Sequence, residues 1–227
     1  MKLAILLSGG KDSLYAAYLA SKEHELVCAI TVKSENKESY MFHTPNIDLV
    51  DLQAESMNIP LIITTTKGEK EKELDDLEQA IAKAKNDFGI EGVLTGAVAS
   101  QYQASRVQRI CAKLDLWAMN PLWQINQIAL LYELLEKKFE VIISGVFGYP
   151  LDQTWLGKTI DEDRIEKLKE LQQQLGLNPA GEGGEIETLV VDCPLFAKRI
   201  KVQESRVEYE NHAGVFHITK AELEAKE

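Results

Sequence analysis

The 227-residue sequence contains no long hydrophobic run and few cysteines, and both absences restrict the class of protein. The N-terminal apolar run, residues 3–7, is short and leads straight into a polar turn, so we expect neither a signal peptide nor a membrane span and predict a cytoplasmic protein. Three cysteines, Cys28, Cys111 and Cys193, lie far apart and are odd in number. This spacing argues against a disulfide framework or a zinc cluster, and we interpret them as structural.

Positive charge is also scarce, because 25 lysines and arginines face 36 aspartates and glutamates, for a net charge of -11. A protein that binds a polyanion normally needs a basic face, and none can be recognised here. The local basic group Lys198, Arg199 and Lys201 is more typical of a solvated strand edge. We therefore expect no nucleic-acid partner and predict a small molecule or a protein as substrate. A homo-oligomer is compatible with the sequence.

The most informative motif is the hexapeptide Ser-Gly-Gly-Lys-Asp-Ser at residues 8–13, which directly follows the apolar strand Leu3 to Leu7. The glycines permit a tight turn close to an anion, and the first turn of the following helix offers unpaired N–H groups. The serines add hydroxyl donors, the lysine a positive charge, and the aspartate a ligand for Mg²⁺. The alternative is a plain glycine turn with an N-cap. The predicted phosphate-binding residues are Ser8, Gly9, Gly10, Lys11, Asp12 and Ser13.

This loop does not match the other common nucleotide loops. The spacing Gly-x4-Gly-Lys-Ser/Thr is absent, and so is Gly-x-Gly-x-x-Gly. It resembles the PP-loop of the N-type ATP pyrophosphatases, which cleave ATP between the α and β phosphates. That resemblance implies an adenylate intermediate, with pyrophosphate held in the loop.

Strand and helix patterns alternate along the first two-thirds of the chain, which predicts a parallel sheet with right-handed crossovers. A capping box at Thr159 and Glu162 opens a later helix, and shorter strand patterns follow it. We expect a Rossmann-like α/β nucleotide domain, residues 1–125, joined to a smaller α+β domain, residues 126–227. The predicted strands and helices of the alternating part cover residues 3–7, 14–19, 26–32, 46–57 (with Thr44 as N-cap), 61–64, 74–88, 92–95, 100–114, 124–138 and 141–146.

Ligands of such sheets bind at the carboxyl ends of the strands. Two further loops therefore join the candidate site, one after the second strand and one after the fourth. Gly96, in the latter, would let the backbone approach ribose or adenine. The loop after the second strand contributes Thr31, Val32 and Lys33, which we expect beside the adenine.

A second unusual segment, residues 181–196, has three glutamates interleaved with glycines and ends a strand with Asp192. One interpretation is a solvated acidic turn. The other is a site for a cation, a metal or an ammonium group, with the glycines bringing backbone close to the ligand. The glutamates are Glu182, Glu185 and Glu187.

With this loop and this acidic motif, the chain resembles the diphthine–ammonia ligases, a PP-loop (HUP-type) family, almost from end to end. The resemblance implies that ATP, ammonia and diphthine on elongation factor 2 give diphthamide, AMP and pyrophosphate, with Mg²⁺ as cofactor. Free ammonia is expected, because no glutaminase is present. The chain departs from the family pattern at Gln101, Ala104 and Ile186. The matching segments are residues 8–13, 39–44, 96–107, 121–124, 156–161 and 181–196.

The resemblance assigns site residues to positions of this sequence. His43 is expected to be a structural residue first and a nucleotide ligand second. The implied catalytic residues are Lys11, Asp12, Glu185, Glu187 and Asp192, with Asp12 also the metal ligand. The implied substrate-binding residues are Tyr102, Glu182, Gly183, Gly184, Glu185, Glu187 and Thr188.

Diphthine carries a trimethylammonium group beside the carboxylate to be activated, and this cation favours carboxylates and aromatic faces. We therefore expect the glutamates to select the methylated substrate, with Tyr102, Trp123 or Trp155 as the ring wall. The competing hypothesis is that the glutamates handle protons or ammonia. Two other functions stay open, another amidating or thiolating PP-loop enzyme and a nucleotide sensor without chemistry.

Overall fold

The first half of the chain forms a five-stranded parallel sheet in the order β3-β2-β1-β4-β5. The protein is represented by a computed structural model that describes residues 1–36, 45–69, 71 and 73–226. The strands are β1 (Lys2–Leu6), β2 (Glu25–Ser34), β3 (Leu61–Thr66), β4 (Gly92–Leu94) and β5 (Trp117–Met119). The helices are α1 (Lys11–Ala20), α2 (Val50–Ser56), α3 (Glu73–Phe88) and α4 (Gln101–Lys113).

Helices cover both faces of this sheet, as the nearly continuous apolar strands require. One face packs against the apolar stripes of α3 and α4, which contribute Leu77, Ile81, Val107 and Ile110 to a closed core. The other face packs against α1, most of whose residues are buried. The predicted α/β architecture is confirmed, and the short strand β5 is an addition that the sequence patterns did not indicate.

The strand order places a crevice between β1 and β4. The chain leaves β1 toward β2 and β3 on one side, and later returns to β4 and β5 on the other. At such a reversal the two loops at the carboxyl ends diverge and leave room for a ligand. The loops that flank it are residues 7–10 and 95–100, which are two of the predicted site loops.

The second half contains an antiparallel sheet in the order β7-β6-β9-β8. Val141–Val146 was expected to continue the parallel series, and that expectation is wrong, because this segment is part of β6 and pairs antiparallel with β7 and β9. An apolar run does not specify the direction of its partner strand. The elements are α5 (Gln127–Glu136), β6 (Glu140–Phe147), α6 (Glu162–Leu175), β7 (Ile186–Asp192), β8 (Lys198–Glu210) and β9 (Ala213–Ala225).

The starts of α6 and α2 differ from the sequence-based predictions. α6 is capped by Asp161, whose side chain accepts a hydrogen bond from the Arg164 N–H at 2.9 Å, and not by Thr159. Before α2 the chain forms a 3₁₀ turn, Ile47–Leu49, and the predicted cap Thr44 lies outside the described residues. Asn46 there bonds the β9 backbone, donating to Phe216 O at 2.9 Å.

The two sheets share one apolar core, in which Leu3 and Leu14 of the first half pack in the same cluster as Ile143 and Leu189 of the second. The domain boundary after residue 125 therefore stays a prediction. Throughout the described ranges, every helix is too short or too polar to cross a bilayer.

Candidate active site

The phosphate cradle, residues 8–13, is half loop and half helix. Lys11, Asp12 and Ser13 form the first turn of α1, so the helix begins three residues earlier than the apolar pattern indicated. Its N-cap, Gly10, makes no side-chain capping bond, and the Gly10 N–H lies 3.4 Å from Ser8 Oγ. A helix N-terminus without a capping side chain carries partial positive charge and favours an anion.

The edge of β7 docks directly onto this cradle. The Val190 N–H donates to Gly9 O at 3.0 Å, and the Lys11 N–H donates to Thr188 Oγ1 at 3.2 Å. The buried Lys11 ammonium group donates to Ala180 O at 2.5 Å and to Asp12 Oδ2 at 2.9 Å. The acidic segment and the cradle are thus held against each other by residues from both halves of the chain.

Between them lies a cleft of about 450 Å³. Its apolar lining includes Leu6, Ile30 and Val107 and is suited to a flat heterocycle. Its polar lining comes from the cradle and the acidic segment. The predicted site residues that line it are Ser8, Gly10, Lys11, Asp12, Ser13, Val32, Gly96, Glu182, Gly183, Gly184, Glu187 and Thr188.

Of the residues predicted to lie beside the adenine, only some line the cleft. Val32 lines the cleft, whereas the Thr31 hydroxyl donates to Leu7 O at 2.8 Å and is used within the sheet. Lys33 pairs with Asp48 at 2.9 Å. Neither Thr31 nor Lys33 is brought to the cleft, because alternate residues of a strand point to opposite faces. His43 lies outside the described residues.

Backbone packing requires a glycine at position 96, and the approach to ribose or adenine there stays a prediction. A Cβ atom at this position would lie 2.5 Å from the Asp12 carbonyl carbon and from the Ser13 nitrogen. The β4–α4 loop therefore packs backbone to backbone against the first turn of α1. Gly96 still lines the cleft, and its close packing fixes the helix start relative to β4.

Glu187 is the carboxylate with the most altered acidity in the cleft. Burial raises its pKa from 4.5 to about 7, with Asp12 adding to the rise and Lys11 opposing it. Glu182 accepts a hydrogen bond from the Ala99 N–H at 3.0 Å, and burial, assisted by Asp12, raises its pKa as well. Both carboxyl groups therefore take up a proton at a pH closer to neutral than exposed glutamates do.

Glu185 is turned away from this pair. Its Oε1 accepts a hydrogen bond from Asn178 Nδ2 at 2.8 Å. Gly183 makes room for it, since a Cβ there would lie 2.5 Å from Glu185 Oε1. Glu185 therefore stabilises the acidic turn through its hydrogen bond with Asn178. It is not among the residues that line the cleft.

Two other candidates also lie elsewhere. Asp192 pairs with Lys226 at 2.5 Å at the far end of β7, about 16 Å from Glu187 at roughly 3.3 Å per residue. Tyr102 packs its ring under the Arg106 guanidinium, 3.3 Å from the ring centroid, and bonds Glu71 at 3.3 Å. We withdraw Asp192 as a proton acceptor and Tyr102 as a ring of the site.

All three cysteines are free and buried, and burial raises the pKa of Cys193 to about 12. A thiol with that pKa is inert as a nucleophile near neutral pH. Within the described part of the chain, no group of three or more His, Cys, Asp or Glu side chains forms a metal cluster. Mg²⁺ bound with nucleotide needs only one or two carboxylates beside the phosphates, and Asp12 Oδ1 is buried with no hydrogen-bond partner in the described structure.

Sequence reasoning missed two residues beside this site. Gln53 of α2 is completely buried and contacts the cradle. Phe147 of β6 is 38% exposed and places its ring over Gly145, where a Cβ would lie 2.7 Å from the ring and 3.1 Å from Glu187 Cβ. A glycine opposite a glutamate across two paired strands is the only trace of this arrangement in the sequence, and it needs the register to be known.

The raised pKa of Glu187 predicts how its removal affects stability. Between pH 4.5 and 7 the folded state binds more protons than the unfolded state, so this carboxyl makes stability fall as pH rises. Glu187→Gln should stabilise the ligand-free protein by about 1 to 3 kcal/mol at pH 8 and by almost nothing near pH 4.5. Urea unfolding at both pH values measures this, and equal effects at the two would contradict it.

The chain is similar to one protein family along almost its whole length. Residues 1–118 match the family description "Diphthamide synthase N-terminal domain", and residues 126–223 match "Diphthamide synthase C-terminal domain". The chain belongs to the diphthamide synthase family. Both the cradle and the acidic segment fall inside the matched regions, so the whole cleft is built from family sequence.

Two named relatives in this family are similar to this chain over most of their own length. A diphthine–ammonia ligase of Rattus norvegicus is 37% identical over 225 residues, covering 90% of this chain and 84% of that protein. A diphthine–ammonia ligase of Homo sapiens is 35% identical over 227 residues, covering 91% and 85%. A solved "predicted subunit of tRNA methyltransferase" from Methanocaldococcus jannaschii covers 86% of this chain at 17% identity, with a TM-score of 0.42, too distant to bear on function.

Proposed function

We propose that this diphthamide synthase family chain is a diphthine–ammonia ligase that amidates the diphthine carboxylate through an acyl-adenylate. The observation that carries the proposal is the cleft itself, in which the phosphate cradle and the acidic segment face each other. Curated relatives named diphthine–ammonia ligase cover most of the chain and agree with it. The substrates are ATP, ammonia and elongation factor 2 bearing diphthine.

The apolar residues of the cleft would receive the adenine, and the cradle would hold the β and γ phosphates. The diphthine carboxylate oxygen attacks the α-phosphorus, the bond to the bridging oxygen breaks, and pyrophosphate leaves. Lys11 supplies a fixed positive charge under the leaving group, because Asp12 and Ala180 hold its ammonium in place. Asp12 would hold Mg²⁺, which when bound neutralises charge on the phosphates.

Ammonia then attacks the acyl carbon, AMP leaves, and one proton must depart from the nitrogen. Glu187 is suited to take it, since its pKa of about 7 lets it be ionised before the attack and protonated after it. Glu182 lies on the same wall and adds negative charge that attracts ammonium. We assign Glu185 to bracing the turn through Asn178.

The ring wall expected for the trimethylammonium group has to be reassigned. Trp155 is buried in the core, so it cannot form that wall, and we withdraw Tyr102 as above. Trp123 is 37% exposed, but it is not among the residues that line the cleft. Phe147 is also outside the cleft lining, but its ring lies beside Glu187 on the same face of the β6–β7 pair, and it is partly exposed. A carboxylate next to an aromatic face is what a cation without N–H donors requires.

Phe147→Leu should therefore weaken recognition of the methylated substrate. We expect KM for diphthine-bearing elongation factor 2 to rise about 5- to 30-fold, the equivalent of about 1 to 2 kcal/mol of cation–π attraction. The KM for ATP should not change, and Phe147→Tyr should behave as wild type. Steady-state kinetics with each substrate varied measures this, and an unchanged KM for the protein substrate in Phe147→Leu would remove Phe147 from the site.

The function itself is tested by incubating the protein with MgATP, ammonium and diphthine-bearing elongation factor 2. The expected products are AMP, pyrophosphate and an amidated histidine side chain detected by mass analysis. ADP formation would contradict the mechanism. AMP formation that does not depend on the protein substrate would point to another substrate, and nucleotide binding without turnover would point to a sensor.

A further inference from the structure

Gln53 lies completely buried where three elements meet, with 0% of its surface exposed. Its side chain projects from α2 and reaches the cradle and β7 together. The amide nitrogen donates to Gly9 O at 3.0 Å and to Val190 O at 2.8 Å. Both partners are carbonyl oxygens, which only accept, so the nitrogen of the amide must face them.

The Gly9 carbonyl receives a second hydrogen bond, from the Val190 N–H at 3.0 Å. This oxygen is therefore held from two directions, by a side chain of the first half and by a backbone group of the second. Gly9 itself has a φ of 84°, a conformation that favours glycine. The turn is thus both permitted by the glycine and fixed by outside contacts.

Holding this oxygen orients the next N–H group. The Gly9–Gly10 peptide bond is trans, so the Gly9 C=O and the Gly10 N–H point in opposite directions. Because the carbonyl points to α2 and β7, the N–H points to the opposite side, where Ser8 Oγ and the cleft lie. The Gly10 N–H therefore already points toward the position that an anion in the cradle would occupy.

We propose that Gln53 is a positioning residue for anion binding, which fixes the Gly9–Gly10 peptide so that the Gly10 N–H donates to the bound phosphates. This inference rests on the proposed function, because it takes the cradle to be the phosphate site. Gln53 touches no reacting atom and acts only through the peptide. The same amide also fixes β7 against the cradle, which couples the placement of Glu187 to that of the donor.

The test compares Gln53→Met, which has a similar size and no donor, with Gln53→Glu. Ser56→Ala is the matched control, since Ser56 is also a buried residue of α2 and bonds the second half at Lys198 O, 2.5 Å away, without touching the cradle. Calorimetric titration with MgATP and with magnesium pyrophosphate gives the affinities, and thermal unfolding shows that each variant is folded. We expect both Gln53 variants to bind at least tenfold more weakly and Ser56→Ala to bind within twofold of wild type.

A pH series adds a readout that a purely structural role would not change. A protonated glutamic acid donates one hydrogen bond and a glutamate donates none. The affinity of Gln53→Glu relative to wild type should therefore recover as pH falls, whereas that of Gln53→Met should not. A folded Gln53→Met that binds like wild type overturns the proposal. If Gln53→Met does not fold, Gln53→Glu decides by the same affinity and pH criteria. Wild-type protein that binds neither ligand contradicts the proposed function instead.

Discussion

Asp12→Asn is expected to lower AMP formation at least about a hundredfold while leaving the fold intact. The aspartate lies in the first turn of α1, pairs with Lys11 at 2.9 Å, and leaves Oδ1 buried and without a partner in the described structure. Asparagine keeps the shape but loses the charge that would hold Mg²⁺ and balance Lys11. AMP and pyrophosphate release are measured with MgATP, ammonium and diphthine-bearing elongation factor 2.

The matched control is Asp192→Asn. Asp192 ends β7, pairs with Lys226, and lies outside the cleft, so we expect nearly wild-type turnover. Magnesium dependence gives a second check, because Asp12→Asn should require a higher magnesium concentration if any activity remains. An Asp12→Asn enzyme with turnover within threefold of wild type at all magnesium concentrations would rule out Asp12 as the metal ligand.

The second large effect is expected from Glu187→Gln, which should lower kcat about a hundredfold or more because it removes the proton acceptor. When the concentration of free NH₃ is held constant across the pH range, the wild-type rate should fall as pH drops below about 7, where Glu187 becomes protonated and can no longer accept. That limb of the pH profile should be absent in the variant. Steady-state rates from pH 5.5 to 9 measure both effects.

Glu185→Gln is the comparison within the same motif. Its amide oxygen can still accept from Asn178, so we expect kcat within about fivefold of wild type. The two hypotheses for the glutamates separate on the kinetic constant that changes. A raised KM for the protein substrate with unchanged kcat in Glu187→Gln would show that this carboxylate binds the trimethylammonium group and does not handle the proton.

The sequence predicted much of the fold because local patterns carry it. The apolar strand before the cradle, the helical stripes of α3 and α4, and their alternation all specify a parallel sheet. Pairing of β6 could not be predicted in the same way, since Val141–Val146 is apolar whether it pairs parallel or antiparallel. The direction was decided by β7 and β9, which lie far along the chain.

Unusual residue types led to the segments that line the cleft, whereas positions decided by geometry were missed. Five of the six cradle residues line the cleft, all but Gly9, and so does the glutamate–glycine segment apart from Glu185. Asp192 was grouped with Glu187 as another carboxylate of the same acidic segment, yet the five positions between them span about 16 Å in a strand. Gln53 lies within the predicted helix 46–57, and its role depends on carbonyls at Gly9 and Val190 that no local pattern reveals.

The docking of β7 on the cradle also affects solubility. A β-strand at the edge of a sheet offers free N–H and C=O groups to any other extended chain, and apolar edges promote aggregation. In this protein the outward N–H of Val190 is taken by Gly9, and its C=O by Gln53. The cradle thus also covers the apolar edge Leu189–Val191. Variants that loosen the contact between the cradle and this edge should therefore aggregate before they unfold globally.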